Sequence, residues 1–286
     1  MKIALLGVGL MGQAISERLL QEQHTLTVFN RSIEKTVAIE AQGASTSQSA
    51  QQAIDASDYC LLLLSDAQAI SAVLDTVESS HFVGKYFIQM GTIAPEESRK
   101  LEKHIQQRQG FYLECPVLGS LPEARTGTLI LMAAGEQSTY QVCLPLLNFL
   151  GKNPQFFGTS GHASTAKLAM NQLIAGLTSS FSLSLSLIEK EAVDVDQFME
   201  IVRNSALYAP TFDKKLDRML ERDFSNPNFP SKHLSKDTKL FLDVAKQLGL
   251  NTSALEGVDK LLDKTMALGL ENTDYSALYA AINSEN

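Results

Sequence analysis

Cysteine is scarce: Cys60, Cys115 and Cys143 are the only three in 286 residues. Their number is odd, their spacing is wide and no Cys-x-x-Cys occurs. Neither a disulfide framework nor a thiolate zinc site is indicated, and a reducing cytoplasm is the expected compartment. Histidine is sparse too. His24, His81, His104, His162 and His233 show no pair at metal-ligand spacing, so no metal is expected. Long apolar runs are missing. A run such as Leu61–Leu64 falls far short of the ~20 residues that span a bilayer, so no membrane association is expected. The chain opens straight into an apolar strand at Lys2–Leu6, without the charged and apolar regions of a cleavable leader. Glycine and proline number 17 and 8, too few for a collagen or a linker protein. Basic residues are outnumbered 24 to 32, a formal net charge of −8, which argues against a nucleic-acid partner held by phosphate neutralisation. What remains is 44% hydrophobic and 20% charged, the make-up of a packed protein of one large domain or two ordinary ones.

Up to residue 162 short apolar runs alternate with helical patterns. Strands are expected at Lys2–Leu6, Thr25–Phe29, Tyr59–Leu64, Lys85–Gln89, Phe111–Glu114 and Leu129–Ala133. Helical periodicity lies between them at Ala14–Leu20, Ile33–Gln42 and Ala69–Val77. That alternation predicts βαβ units around a mostly parallel sheet. From residue 163 the pattern becomes helical. Ser180–Leu187 alternates serine and leucine, as a strand would, but Ala163–Lys190 has no proline, and Leu173, Leu177, Phe181 and Leu185 recur at i+4. The expectation is one helix about 40 Å long. Further helices are expected at Asp196–Asn204, Pro210–Arg222, Leu234–Leu248, Ala254–Leu268 and Tyr275–Ile282, with Gly249 and Gly269 as C-terminal caps and Ser253 with Glu256 as a capping box. The fold class is thus an α/β N-terminal domain, residues 1–162, followed by an all-α domain, residues 163–286, joined by a long helix.

Gly7-Val8-Gly9-Leu10-Met11-Gly12 fits G-x-G-x-x-G, follows an expected strand and opens an expected helix. The first glycine permits the tight turn, the second lets backbone approach a pyrophosphate, and the third allows close helix–strand packing. A plain βα turn is the alternative. The second strand ends in Asn30-Arg31-Ser32, where an NAD site usually places an acid on the ribose 2′-hydroxyl. Asn30 carries no charge to repel a 2′-phosphate, and Arg31 can pair with one. NADP(H) is therefore expected over NAD(H).

Lys167 and Asn171 lie four residues apart at the start of the long helix, on one face, with apolar Leu168, Ala169 and Met170 between them. A partly desolvated lysine there can transfer a proton near neutral pH. A lysine snorkelling from a helix start is the other reading.

Taken in order, these segments resemble the β-hydroxyacid dehydrogenase family, which includes 3-hydroxyisobutyrate dehydrogenase, is 6-phosphogluconate dehydrogenase-like, and contains the glyoxylate/succinic semialdehyde reductases. Leu6–Gly12 is similar to its opening signature, Gly91-Thr92-Ile93-Ala94-Pro95 to its turn near the nicotinamide, and Pro116–Ser120 with Gly127-Thr128-Leu129 to its substrate loop. Gly161–Asn171 resembles its catalytic-lysine segment, and Phe229–Asp237 its Lys-Asp helix start. The resemblance implies a Rossmann domain, a cleft against a helical domain, and homodimers or homotetramers packed through the helical domains. It implies Lys167 as general acid/base with Asn171 beside it. Leu64, Ser65, Thr92 and Lys236 join Gly7, Gly9, Leu10, Met11, Gly12, Asn30, Arg31 and Ser32 around the cofactor. Phe229 and Asp237 face a small carboxylate-bearing carbonyl substrate, with Leu118, Gly119 and Ser120 on the loop that holds its carboxylate. The family usually has Ser at position 118 and Gly at position 120, so that wall is more apolar here. The Asn-Arg-Ser turn and the Phe-Pro-x-Lys-His segment look closest to the NADPH-dependent glyoxylate/succinic semialdehyde reductases.

Two other readings stand beside an NADPH-dependent reductase: an imine reductase-like enzyme of the same fold, which an apolar wall at Leu118 suits, and a non-catalytic NADP-binding module. Cys115 reads as a small filler, His233 as a capping or surface residue, and Lys214, Lys215 and Arg218 among Asp213, Asp217 and Glu221 as a solvated, ion-paired helix face.

Overall fold

The computed structural model describes residues 1–284. The chain divides into two compact units, Met1–Lys167 and a second beginning at Leu168.

In the first unit the strands are β1 (Lys2–Leu6), β2 (Thr25–Phe29), β3 (Ser45–Thr46), β4 (Tyr59–Leu62), β5 (Tyr86–Gln89), β6 (Phe111–Glu114), β7 (Val117–Leu118), β8 (Ile130–Gly135) and β9 (Gln155–Phe156). They lie in the order β3-β2-β1-β4-β5-β6-β8-β7, with β9 beside β8. From β3 to β6 every pairing is parallel, with Ile3 opposite both Leu26 and Tyr59; β8 then runs antiparallel to β6, placing Gly135 against Leu113. The reversal of strand order about β1 is the doubly wound arrangement, and it puts a crevice at the C-terminal ends of β1 and β4.

The helices of this unit are α1 (Leu10–Gln21), α2 (Val37–Glu40), α3 (Ala50–Asp55), α4 (Ala67–Leu74), α5 (Pro95–Gln106), α6 (Leu121–Thr126) and α7 (Gln137–Leu150). Their placement follows from the period of two in the strands. Ile3, Leu5, Leu61 and Ile88 face Ile15 and Leu19 of α1 and Leu146, Leu147 and Leu150 of α7. Ala4, Leu6, Cys60, Leu62 and Phe87 face Ile54 of α3, Ile70 of α4 and Leu101 and Ile105 of α5. Both faces are covered, which is why these strands read as solid apolar runs.

Helix α8 (His162–Lys190) begins in the first unit and continues into the second. The serine–leucine alternation is helical after all. Phe181, Ser182, Leu185 and Ser186 are buried, while Leu183, Ser184 and Leu187 are exposed, a spacing of four that no strand produces. The second unit adds α9 (Val195–Asn204), α10 (Pro210–Leu220), α11 (Ser231–Gln247), α12 (Ser253–Ala267) and α13 (Leu278–Ile282). One apolar cluster joins Phe181 and Leu185 to Met199, Phe212, Leu216 and Met219, and a second joins Ala175 to Leu234, Leu242, Leu255 and Leu262. Gly249 and Gly269 take the left-handed conformation expected of C-terminal caps, with φ of 71° and 75°.

Two sequence expectations are corrected here. The box at α12 is not Ser253 with Glu256: Thr252 stands at the N-cap and its hydroxyl donates to Glu256 at 2.9 Å, while Ser253 bonds back to Asn251. Nor is Lys215 on a solvated face. It is buried, and its Nζ donates to both oxygens of Asp274, at 2.8 and 2.9 Å, with the Tyr275 ring 4.3 Å away. Burial pulls the Lys215 pKa down and Asp274 pulls it back up. Arg218 meanwhile donates to the carbonyls of Asp223, Ser225 and Asn226.

Lys215→Ala leaves Asp274 buried without its cation and is expected to cost about 3–5 kcal/mol, whereas replacing both residues by apolar ones costs much less. Urea unfolding of the single and double variants measures the difference.

Candidate active site

The glycine turn follows from steric contacts that can be named. Gly7 has φ +107°, and a Cβ there would lie 2.4 Å from the Leu63 carbonyl oxygen. A Cβ on Gly12 would lie 2.1 Å from the Gly7 oxygen, so α1 can approach β1 this closely only without one. At Gly9 a Cβ would meet nothing within 4 Å, leaving the backbone open on that side. Gly9 is also the N-cap of α1. No side chain caps this terminus and no acidic residue sits in its first turn, so the donors of Leu10, Met11 and Gly12 are placed for an anion. This open, uncapped and unopposed terminus fits a dinucleotide pyrophosphate.

Asn30 braces the turn from β2. Its Oδ1 accepts from the Val8 N–H at 3.0 Å and its Nδ2 donates to the Ser32 carbonyl at 2.8 Å. Its carboxamide is therefore committed inside the protein. Arg31 is exposed beside it, and Ser32 opens the 3-10 turn Ile33–Thr36. On the next strand end, Leu64 lies against Gly7, its Cδ2 3.1 Å from where a Cβ would stand. The Ser65 hydroxyl donates to Asp66, whose other oxygen caps α4 through the Ala69 N–H. Gly91 packs on the Leu64 carbonyl, which a Cβ would reach at 2.8 Å, and Thr92 follows on the turn into α5. Gly7, Leu64 and Gly91 thus stand side by side at the C-terminal ends of β1, β4 and β5. Below them the Gln89 side chain is wholly buried; Nε2 donates to the Gly91 carbonyl and Oε1 makes no hydrogen bond.

The start of α8 is built around one buried carboxylate. Glu114, the last residue of β6, accepts at Oε1 from the N–H groups of Gly161 (2.8 Å), Ala163 (2.7 Å) and Ser164 (3.3 Å). Its Oε2 accepts from the Ser164 hydroxyl at 2.9 Å and from the Ser98 hydroxyl of α5, which is in turn bonded to Tyr112. The Ser160 hydroxyl donates to Glu102, also on α5, at 2.7 Å. Gly161 has φ +97°, and the Arg99 guanidinium lies 2.9 Å from where a Cβ would be. Lys167, half-buried, comes one turn after Ala163 on the same face. Leu118 and Ala166 both pack against a cluster of Met132, Ala134 and Ala163, so the surface beside that turn is apolar. Gly119 has φ +134°, and both the N–H and the hydroxyl of Ser120 donate to Glu123, at 2.8 and 2.5 Å. The Ser120 hydroxyl is spent on the Glu123 carboxylate.

In the second unit Asn171 and Asp237 are both buried, and the Asn171 Nδ2 donates to the Asp237 Oδ2 at 2.5 Å. Lys236 lies 3.0 Å from the other Asp237 oxygen. The Asn171 Oδ1 is buried and makes no hydrogen bond, so it can accept from a ligand hydroxyl. Phe229 stacks on His233 with ring centroids 6.3 Å apart. His233 is therefore a partner of Phe229, and burial lowers its pKa. Cys115 is fully buried and burial pushes its thiol up, as suits a filler. Among the described residues there is no cluster of three or more side chains able to hold a metal, and no helix is long and apolar enough to cross a membrane.

Sequence reasoning missed Glu114, Ser98 and the Arg99–Gly161 contact. The available signal was a lone acid closing the otherwise apolar strand Phe111-Tyr112-Leu113, directly before Cys115-Pro116.

A glycine turn at the head of a doubly wound parallel sheet, followed by a helical unit, defines a nucleotide-binding oxidoreductase of two-unit build. The family model for the NAD-binding domain of 6-phosphogluconate dehydrogenase matches residues 2–161, and that for the NAD-binding domain of NADP-dependent 3-hydroxyisobutyrate dehydrogenase matches residues 161–282. Glyoxylate/succinic semialdehyde reductase 1 of Arabidopsis thaliana is 31% identical over 285 residues, covering 99% of this chain and 98% of that protein. The solved 3-hydroxyisobutyrate dehydrogenase of Mycobacterium tuberculosis with L-serine superposes with a TM-score of 0.88 at 20% identity, covering 99% of each chain. An imine reductase from Pseudomonas sp. gives 0.68 at 22%, covering 98% of each. The chain belongs to the β-hydroxyacid dehydrogenase family, as a pyridine-nucleotide-binding dehydrogenase or reductase.

Because Asn30 braces the turn, Asn30→Ala is expected to weaken NADPH and NADH alike, by about tenfold, the worth of one lost hydrogen bond to the loop. Fluorescence titration with both nucleotides measures this; an affinity ratio that moves instead would place Asn30 against the ribose.

Proposed function

We propose that the protein is a cytoplasmic, NADPH-dependent reductase that converts a short aldehyde or keto acid, of the glyoxylate or succinic semialdehyde type, to the hydroxy acid, with Lys167 as general acid. The observation that carries this reading is Lys167 on α8 directly after the turn that a buried carboxylate fastens to the sheet, with Asn171 a turn further along held by Asp237. The Arabidopsis relative bears the name of that activity.

When bound, reduced nicotinamide supplies a hydride. The chain does the rest. The uncapped N-terminus of α1 binds the pyrophosphate, and Arg31 pairs with the 2′-phosphate, since no carboxylate at position 30 opposes it. Leu64, Ser65, Thr92 and Lys236 bound the cofactor. Lys167 holds a proton at Nζ and delivers it to the carbonyl oxygen as that oxygen gains charge; in the reverse direction Nζ receives it. Asn171 Oδ1 accepts from the hydroxyl of the hydroxy acid once that oxygen is protonated. Phe229 and Asp237 face the substrate, and the loop Leu118-Gly119-Ser120 holds its carboxylate. The reducing compartment accords with three unlinked, buried thiols.

A homodimer or homotetramer is part of this reading. Leu173, Leu177, Leu183 and Leu187 expose 50%, 39%, 64% and 63% of their surface along α8, an apolar stripe suited to a second copy. A second activity, reduction of a cyclic imine, is favoured by the packing of Leu118 and Ala166 against the apolar cluster that contains Ala163.

Purified protein is expected to oxidise NADPH faster than NADH with glyoxylate or succinic semialdehyde, and to be slower on a panel of cyclic imines. Lys167→Ala should lose about 10²–10⁴ in kcat while still binding NADPH, and Arg31→Ala should reduce the preference for NADPH by about tenfold or more. Steady-state assays and nucleotide titrations read all three. Near-normal turnover by Lys167→Ala removes its assigned role, and tight NADPH binding without turnover on any carbonyl favours a non-catalytic module.

A further inference from the structure

The N-terminus of a helix leaves N–H groups that need acceptors, and a side chain just before the helix usually supplies one. Helix α8 is different. Its first turn is capped from another element altogether, by Glu114 at the end of β6. The carboxylate is wholly buried and takes five donors: the N–H groups of Gly161, Ala163 and Ser164, and the hydroxyls of Ser164 and Ser98. Burying a carboxylate is costly unless its oxygens are satisfied, so each donor is held in a narrow position by the others.

Two further contacts fix the same turn from α5. Ser160 bonds to Glu102, and the Arg99 guanidinium lies over Gly161, whose φ of +97° favours glycine. Helix α5 begins directly after the Gly91–Ala94 turn, and Glu97 reaches back to the Ala94 N–H at 2.7 Å. One rigid helix therefore connects the turn that carries Thr92 to the turn that precedes Lys167.

Geometry decides what this does for Lys167. Residues three and four apart share a helix face, so Ser164 and Ala163, both held by Glu114, lie beneath the lysine. Side chains on a helix lean toward its N-terminus, so the Lys167 stem runs back over this turn. We infer that Glu114 is a positioning residue: with Ser98 it sets the axial placement of the first turn of α8, and so the placement of the Lys167 ammonium relative to the Thr92 turn. The inference rests on the reading of Lys167 as proton donor. Glu114 itself is wholly buried and acts through the turn it holds.

The test compares Glu114→Ala, Glu114→Gln and Ser98→Ala with wild type. Amide hydrogen exchange over residues 158–167 reads the anchor independently of activity. Turnover of glyoxylate or succinic semialdehyde, NADPH affinity, and the primary isotope effect from NADPH deuterated at the transferred position read its consequence. For Glu114→Ala, exchange at 161–164 should quicken by about tenfold or more, and kcat should fall by about a hundredfold with NADPH affinity retained, as for an angstrom-scale misplacement. The isotope effect on kcat should rise, because the chemical step becomes slower than product release. Glu114→Gln should lie between, since its oxygen still accepts from the Gly161 and Ala163 amides and the two serine hydroxyls can rotate to accept from its nitrogen.

A purely structural role lowers the fraction of active protein and leaves the isotope effect alone. That result, or unchanged exchange at 161–164, overturns the inference. If Glu114→Ala does not fold, Glu114→Gln and Ser98→Ala make the same comparison with smaller steps. Lys167→Ala separates the two claims: an inactive Lys167→Ala with unchanged exchange in the Glu114 variants rejects the anchor alone. An active Lys167→Ala rejects the proton donor and, with it, the catalytic meaning of the anchor.

Discussion

One carboxylate ties three parts of the chain together. Glu114 ends β6, receives Ser98 from α5 and holds the first turn of α8 through Gly161, Ala163 and Ser164. A buried carboxylate is stable only when donors surround it, and these donors come from α5 and from the start of α8. The constraint thus acts in both directions. The charge needs the helix start, and the helix start, whose first N–H groups have no intrahelical acceptor, needs the charge. Everything that depends on where α8 begins, Lys167 included, inherits that placement.

The glycine turn obeys the opposite logic. Its terminus is left without a side-chain cap, its first turn carries no acid, and its backbone at Gly9 is open. Two helix N-termini in one unit are therefore treated differently: α8 is satisfied internally, whereas α1 keeps its donors for an anion. Asn30 belongs to the scaffold of that second site. It fixes Val8 from one side and Ser32 from the other, so the turn after β2 and the turn after β1 are set relative to each other before any ligand is met.

Much of this was visible in the order of residues. The apolar runs marked β1, β2, β4, β5 and β6 because strands covered on both faces need no alternation. The i+4 recurrence through Phe181 and Leu185 outweighed the serine–leucine alternation because a helix and a strand make different residues buried. Other elements left little trace. β3, β7 and β9 have two residues each, too few for any period. Half of helix α5 is charged, and Pro95, Leu101 and Ile105 are its buried apolar residues, so its pattern is faint. Lys215 looked like one of a basic cluster because its partner, Asp274, is remote in the chain. Glu114 escaped for the same reason: a buried acid is defined by donors that arrive from residues 98 and 161–164, and no local pattern encodes them. The loop residues Leu118 and Ser120 depart from the family pattern in sequence, but that the Ser120 hydroxyl donates to Glu123 emerges only in three dimensions.

The account turns on an ammonium group at Lys167 giving a proton to a carbonyl oxygen. Chemical rescue tests this most directly: turnover by Lys167→Ala is followed as small primary amines of graded basicity are added at constant pH and saturating NADPH. The account predicts saturable recovery whose rate follows the pKa of the added ammonium, as proton donation requires. A variant that binds NADPH and substrate yet responds to no amine, while wild type is unaffected by the same additions, would contradict it.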